Sequence, residues 1–274
     1  MRNLPPPSVS ILIPLFNGDP SVVCASLKSI CNQTYPDFEC IVIDESTSIE
    51  LAQEYRRICA EDKRFIYVHP DTRLGLADSL NLAISMARGE LLARFDSDDQ
   101  CLPERLENQV SFMNKNPEIG MVGSAIEIID ASGKRLAVRT YPEIHEEIVR
   151  KLQYTNSFAH PTVMYRAQVV KSHGAYNSNF RFAEDLELWL RWFGQGVQFA
   201  NLPNVLVRYR QNQTSRGIDN WQYNIKARVI NFDRKLFFLR IAGIAIVLIW
   251  SIIPSSLQES IYRLVIFNHK KANN

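Results

Sequence analysis

The chain has 274 residues, 46% of them hydrophobic and 22% charged, with a formal net charge of +2. That length and apolar content suffice for a sizeable core, read as one α/β domain followed by a tail. A net charge so near zero supplies no basic face for nucleic acid, which is not expected as a partner.

Val9 to Phe16 (VSILIPLF) is a continuous apolar run of strand length, broken by Asn17, Gly18, Asp19 and Pro20. Pro20 and Ser21 can open a helix to Asn32, and Phe38 to Ile43 (FECIVI) forms a second strand stopped by Asp44 and Glu45. A helical stretch over Ile49 to Ala60 leads to a third strand at Phe65 to Val68. Leu76 to Arg88 places Leu76, Leu80, Ala83, Ile84 and Ala87 on one helix face, and Gly89 is expected to end it. Leu91 to Phe95 is a fourth strand running straight into Asp96, Ser97, Asp98 and Asp99.

Strands alternating with helices predict right-handed βαβ units in a doubly wound, mostly parallel sheet with helices on both faces. Ligands of such sheets sit beyond the carboxyl ends of the strands. The polar clusters after the first, second and fourth strands should therefore meet at one crevice. Beyond Pro103 a helix is expected to Asn114, then a strand over Ile119 to Ile129 with Ser132 and Gly133 turning the chain back. In the second half, only Ala183 to Phe193 reads plainly as a helix.

Asp96, Asp98 and Asp99 put three carboxylates within four residues at a strand end, a repulsion that a hard cation would offset. Mg²⁺ or Mn²⁺ suits such oxygen donors and commonly shares its shell with substrate phosphates. The alternative is an acidic helix start in which Ser97 or Asp99 caps the helix after Pro103.

Five blocks, in order, carry a resemblance: VSILIPLFN, SLKSICNQTYPDFECIVIDEST, LGLADSLNLAISMARGELLARFDSDD, HPTVMYR and FAEDLELWLRW. Over about residues 9 to 210 the chain resembles the family 2 glycosyltransferases of the GT-A fold. The resemblance implies an inverting enzyme of bacterial surface-glycan type that moves a sugar from a nucleotide donor, a UDP-sugar, onto an acceptor hydroxyl. It implies that Pro14, Phe16 and Asn17 lie on the nucleoside side, with Asp44 bonding the base or ribose. Where the family often has Asp-Asp, this chain has Asp44 and Glu45, leaving open which carboxylate reads the base. Asp44 could instead close the strand with an Asx-turn.

The resemblance further makes Asp98 a direct metal ligand and Asp96 a neighbour of the ribose or the metal. Ser97 and Asp99 fall on the donor side, Asp99 facing the sugar. Arg73 and Gly75 belong to a turn over the nucleotide, where Gly75 would allow close backbone approach and Arg73 would meet a phosphate or stay solvated. Asp185 matches the catalytic base, with Glu184 orienting it or binding the acceptor; first-turn carboxylates favoured by the helix dipole are the plain alternative. His160, in HPTVMYR, falls on the acceptor side or is a structural histidine. Trp189 is an acceptor-side candidate that could equally be core.

Ile241 to Ile253 carries no charge, but thirteen residues fall short of the roughly 20 needed to span a bilayer. With Pro254 and the basic residues Arg263, His269, Lys270 and Lys271 behind it, the expectation is a membrane surface as partner, with a buried helix or a span as alternatives. The division expected is 1–210, catalytic, and 211–274, a helical extension. Met1 to Ser8 has no apolar h-region, and the five cysteines show no metal or disulfide pattern. Together these suggest a cytoplasmic enzyme on the inner face of the membrane, acting on a glycan or lipid-linked acceptor. A sugar-phosphate nucleotidyltransferase and a non-catalytic nucleotide-binding scaffold are the rival readings.

Overall fold

The computed structural model describes residues 5–211 and 218–253. Strands β1 (Val9–Leu15), β2 (Phe38–Asp44), β3 (Phe65–Val68) and β4 (Leu91–Arg94) form the parallel half of one sheet. They alternate with helices α1 (Pro20–Cys31), α2 (Ile49–Cys59) and α3 (Leu76–Met86). Every residue of β2 and all but Pro14 of β1 are buried, because helices cover both faces. Val23, Leu27 and Ile30 of α1 pack with Ile11, Ile13 and Val42 on one side, and Leu80 and Ala83 of α3 pack with Leu12, Ile41 and Leu92 on the other. This two-sided burial is why the strands read as unbroken apolar runs.

The rest of the sheet comprises β5 (Gln100–Cys101), β6 (Ile119–Ile129), β7 (Arg135–Arg139), β8 (Met164–Arg166) and β9 (Gln198–Arg210). The strand order is β3-β2-β1-β4-β8-β6-β9-β5, with β7 paired to β6. The chain moves outward from β1 to β3 and then returns to the other side of β1 as β4. The crevice between the carboxyl ends of β1 and β4 is thus the topological switch point, where such sheets hold ligands.

Helices α4 (Arg105–Lys115), α5 (His145–Leu152), α6 (Ala167–His173) and α7 (Glu184–Gly194), with a 3₁₀ turn at His160–Thr162, complete the domain. Sequence periodicity singled out only α7 in the second half; α5 is a two-turn helix, α6 buries none of its side chains, and β8 has three residues. Such short elements give too few repeats to show a period. Ser97 and Asp99 do not cap α4, whose N-cap is Glu104 without a side-chain bond.

Helix α3 stops at Met86, and Gly89 is not its cap. Gly89 instead lies against β1, donating its N–H to Ser10 Oγ at 2.9 Å, and a Cβ there would stand 2.6 Å from Ser10 N.

Helices α8 (Ile218–Ile230) and α9 (Phe237–Ser251) follow. Arg228 of α8 donates to Leu152 O at 2.7 Å and to Gln153 O at 2.5 Å. Gly243 of α9 lies so close to Gln153 O that a Cβ would come within 1.9 Å of it. Arg240 turns under the helix, donating to Lys235 O and Asn231 O. The opposite side of α9 presents Phe238, Ile241, Ile246, Leu248 and Ile249 to the surroundings. Among the described residues, no helix is long and apolar enough to cross a membrane, and the tail residues Arg263, His269, Lys270 and Lys271 lie outside them.

The Gly89→Ala variant should lose roughly 1–3 kcal/mol of stability, since rigid backbone rather than a flexible side chain meets the new methyl. Chemical denaturation should show it as a lower midpoint with the slope unchanged.

Candidate active site

Two turns at the sheet's carboxyl edge are tied together. Asn17, in the left-handed region at φ 47°, accepts from Thr47 N at 2.9 Å, and its own N–H donates to Ser46 Oγ at 2.9 Å. Asparagine tolerates that conformation better than most residues. Asp44 is fully buried, with Oδ1 accepting from Ser46 N at 2.9 Å and Oδ2 from Tyr67 Oη at 2.6 Å. The first bond is the Asx-turn geometry. Glu45 accepts from Leu74 N at 2.6 Å, from Gly75 N at 2.8 Å and from Ser79 Oγ.

Glu45 thereby fixes the 73–75 turn, setting the Arg73 guanidinium 4.0 Å over the half-exposed Phe16 ring. Gly75 has φ 86°, a backbone conformation that favours glycine, and a Cβ added there would meet no atom of the described residues within 4 Å.

At the end of β4, one oxygen from each of Asp96, Asp98 and Asp99 lies within 4.8 Å of the others. Ser97 is half-buried in the same turn. Asp99 is buried; its Oδ1 accepts from Arg210 N at 2.8 Å and its Oδ2 has no hydrogen-bond partner among the described residues. Burial, then Asp96 and Asp98, push its carboxyl well above the usual range. An unsatisfied buried oxygen among crowded carboxylates is a donor set that fits a hard divalent cation.

Arg94, the last residue of β4, is buried and pairs with Asp96 at 2.5 Å. Burial is the largest influence and disfavours its charge, but Asp96, Tyr176 and Asp99 together outweigh that penalty and hold the guanidinium protonated. Glu184, His160 and Tyr176 also lie within its electrostatic reach. His160 Nε2 lies 2.8 Å from Tyr176 Oη and its Nδ1 3.9 Å from Glu184. Burial and then Arg94 hold the imidazole well below its usual value, so it is neutral.

Glu184 and Asp185 open α7 after Ala183, whose left-handed φ of 55° is strained for alanine. Burial first, and then Asp185, raise the Glu184 carboxyl from 4.5 to about 8, with Arg94 and Asp96 acting on it in opposite senses. The helix start therefore lies near both Arg94 and the acidic turn. Asp185 is only half-buried; its Oδ2 accepts from Asn156 Nδ2 at 2.6 Å. Trp189 is fully buried against Phe158, His160 and Trp192. Its ring supports the helix start from beneath and offers no face for a sugar to stack on. Pro14 is half-buried on the β1 side.

Sequence reasoning missed Arg94, Asn156, Tyr176 and Arg210. For Arg94 a signal existed: a charged residue inside an apolar strand, two residues before an acidic cluster.

The Glycosyl transferase family 2 profile matches residues 10–174. The O-antigen biosynthesis glycosyltransferase WbnJ of Escherichia coli is 35% identical over 76% of this chain and 81% of its own. The amylovoran biosynthesis glycosyltransferase AmsE of Erwinia amylovora is 32% identical over 83% and 85%. Among solved structures, Staphylococcus aureus TarS 1–349 in complex with UDP-GlcNAc superposes with a TM-score of 0.64 at 19% identity. That match covers 81% of this chain, which spans only 66% of the TarS chain. Mannosyltransferase PcManGT of Pyrobaculum calidifontis, in complex with GDP-Man and Mn²⁺, gives 0.64 at 17% identity, covering 95% and 80%. The fold is GT-A.

Because the folded state keeps a proton on Glu184 that the unfolded chain releases, this group's contribution to stability falls as pH rises from about 4.5 toward 8. In metal-free buffer, Glu184→Gln should show a smaller drop in Tm than the parent over that interval.

Proposed function

The chain belongs to glycosyl transferase family 2, and on that premise we propose that it transfers a sugar from a UDP-sugar to an acceptor hydroxyl with inversion, in surface-glycan synthesis. The glycosyltransferase activity follows from membership; the donor, stereochemistry and acceptor are the proposal. The observation that carries it is the buried Arg94, which pairs with Asp96 of the acidic turn and lies within electrostatic reach of Glu184 at the start of α7. That proximity suits a donor diphosphate at the turn and an acceptor beside Asp185.

In this reading Pro14, Phe16, Asn17 and Arg73 form the nucleoside side, behind the turn that Asp44, Glu45 and Gly75 brace. Asp96 and Asp98 would hold Mn²⁺ or Mg²⁺, with Asp99 and Ser97 beside the donor; a divalent cation bound there supplies positive charge to the departing diphosphate. Asp185 accepts the proton of the acceptor hydroxyl as its oxygen attacks the anomeric carbon. The bond to the diphosphate breaks on the opposite face, so one displacement inverts the centre. Protonated Glu184 donates a hydrogen bond, and neutral His160, held by Tyr176, lines the acceptor side without adding charge.

The TarS complex with UDP-GlcNAc supports uridine as the base, and the O-antigen and amylovoran enzymes support a surface polysaccharide as product. Residues 1–210 would be the catalytic domain and 211–274 a helical extension that rests on the cytoplasmic face of a membrane. Phe238, 86% exposed, and Ile252, 81% exposed, lead the apolar face of α9, beside exposed Arg234 and Lys235. Such a face would enter an anionic bilayer surface in plane, next to a lipid-linked acceptor.

Asp185→Asn should lower kcat by about 10²-fold or more while UDP still binds, and Asp98→Ala should abolish the Tm rise that UDP gives only with Mn²⁺. A UDP-sugar panel showing no metal-dependent turnover by the parent chain would overturn the donor assignment. In flotation with anionic phospholipid vesicles, the Phe238→Glu/Ile249→Glu double variant should remain in the soluble fraction, and the parent should float.

A further inference from the structure

We infer that Asn156 is the positioning residue of the Asp185 carboxylate, and that the C-terminal helix pair sets Asn156. This rests on the reading of Asp185 as the base. A base at the second position of a helix is not oriented by the helix alone. Asp185 Oδ1 accepts from Leu186 N at 2.7 Å, but the carboxylate torsion is broad and two-fold, so one bond leaves the other oxygen free to swing. The Asn156 amide at 2.6 Å fixes it.

The amide has one orientation available. Its Oδ1 accepts from Phe158 N at 3.3 Å, so the Nδ2 donor is the group that faces the carboxylate. Asn156 comes from the segment between α5 and the 3₁₀ turn, and that segment is gripped on both sides of it. Downstream, Ser157 Oγ donates to Ile148 O and Ser157 O accepts from Asn201 Nδ2. Upstream, Arg228 holds the Leu152 and Gln153 carbonyls, and Gly243 of α9 lies directly on Gln153 O. The helix with the exposed apolar face therefore touches the chain three residues before the side chain that orients the base. Added bulk at Gly243 would push on Gln153, three residues along the chain from Asn156.

The test uses the full chain and whichever UDP-sugar of a panel the parent hydrolyses with Mn²⁺, water serving as acceptor. Asn156→Ala and the isosteric Asn156→Asp, which cannot donate from that position when ionised, should both lower kcat by about 10²-fold. KM for the donor and Mn²⁺-supported UDP binding should stay within about twofold of the parent, which also reports that the variants fold. Gly243→Ala should reproduce the kcat loss with UDP binding retained. Parent-like kcat in Asn156→Asp, or a loss matched by lost UDP binding, overturns the inference for Asn156; parent-like kcat in Gly243→Ala overturns the part assigned to the helix pair. If Asp185→Asn is itself active, the reading of the base fails first; if it is inactive while both Asn156 variants turn over normally, only the present inference falls.

Discussion

The site depends on one buried cation. Arg94 extends from the end of β4 and pairs with Asp96 at 2.5 Å, almost shielded from water. Around it gather Asp96, Asp99, Glu184, Tyr176 and His160. Four carboxylates, counting Asp98, could not converge there without a counter-charge, because desolvation and mutual repulsion both penalise the ionised form. The molecule divides that burden: Arg94 neutralises Asp96, burial leaves Glu184 protonated to about pH 8, and the oxygens of Asp98 and Asp99 complete a cluster suited to a cation.

The same constraint explains the histidine. Burial, and then repulsion from the guanidinium, disfavour a charged imidazole, so His160 stays neutral and hydrogen-bonded to Tyr176. Being neutral, it leaves Arg94 as the positive charge that Asp96 and Glu184 feel. Trp189 and Trp192 pack into the core, which anchors the helix whose start carries Glu184 and Asp185.

The sheet brings these groups together through β8, which inserts antiparallel between β4 and β6. Its three residues follow directly on the 3₁₀ turn of His160, so the pairing of Leu92 with Tyr165 sets His160 beside Arg94. The C-terminal helices then brace the domain from outside, with Arg228 and Gly243 both bearing on the end of α5. Arg240, which in the sequence looks like a charge interrupting an apolar segment, is used internally to bond two carbonyls and pair with Asp233 at 3.3 Å.

The sequence by itself determined the parallel half of the sheet, because β1, β2 and β4 are buried on both faces and must be apolar throughout, and polar residues mark where each one ends. The acidic turn after β4 and the carboxylates opening α7 were legible for the same reason, each standing out against an apolar background. What only the tertiary structure decided were the partners. Asp44 bonds Ser46 and Tyr67, Glu45 holds the 74–75 turn, and Trp189 lies in the core. Arg94, Asn156 and Tyr176 acquire their places from contacts across tens of residues, through strands and turns too short to show a period. A residue's type and spacing report its local conformation; which charge it neutralises depends on chain segments that only folding brings within a few ångströms.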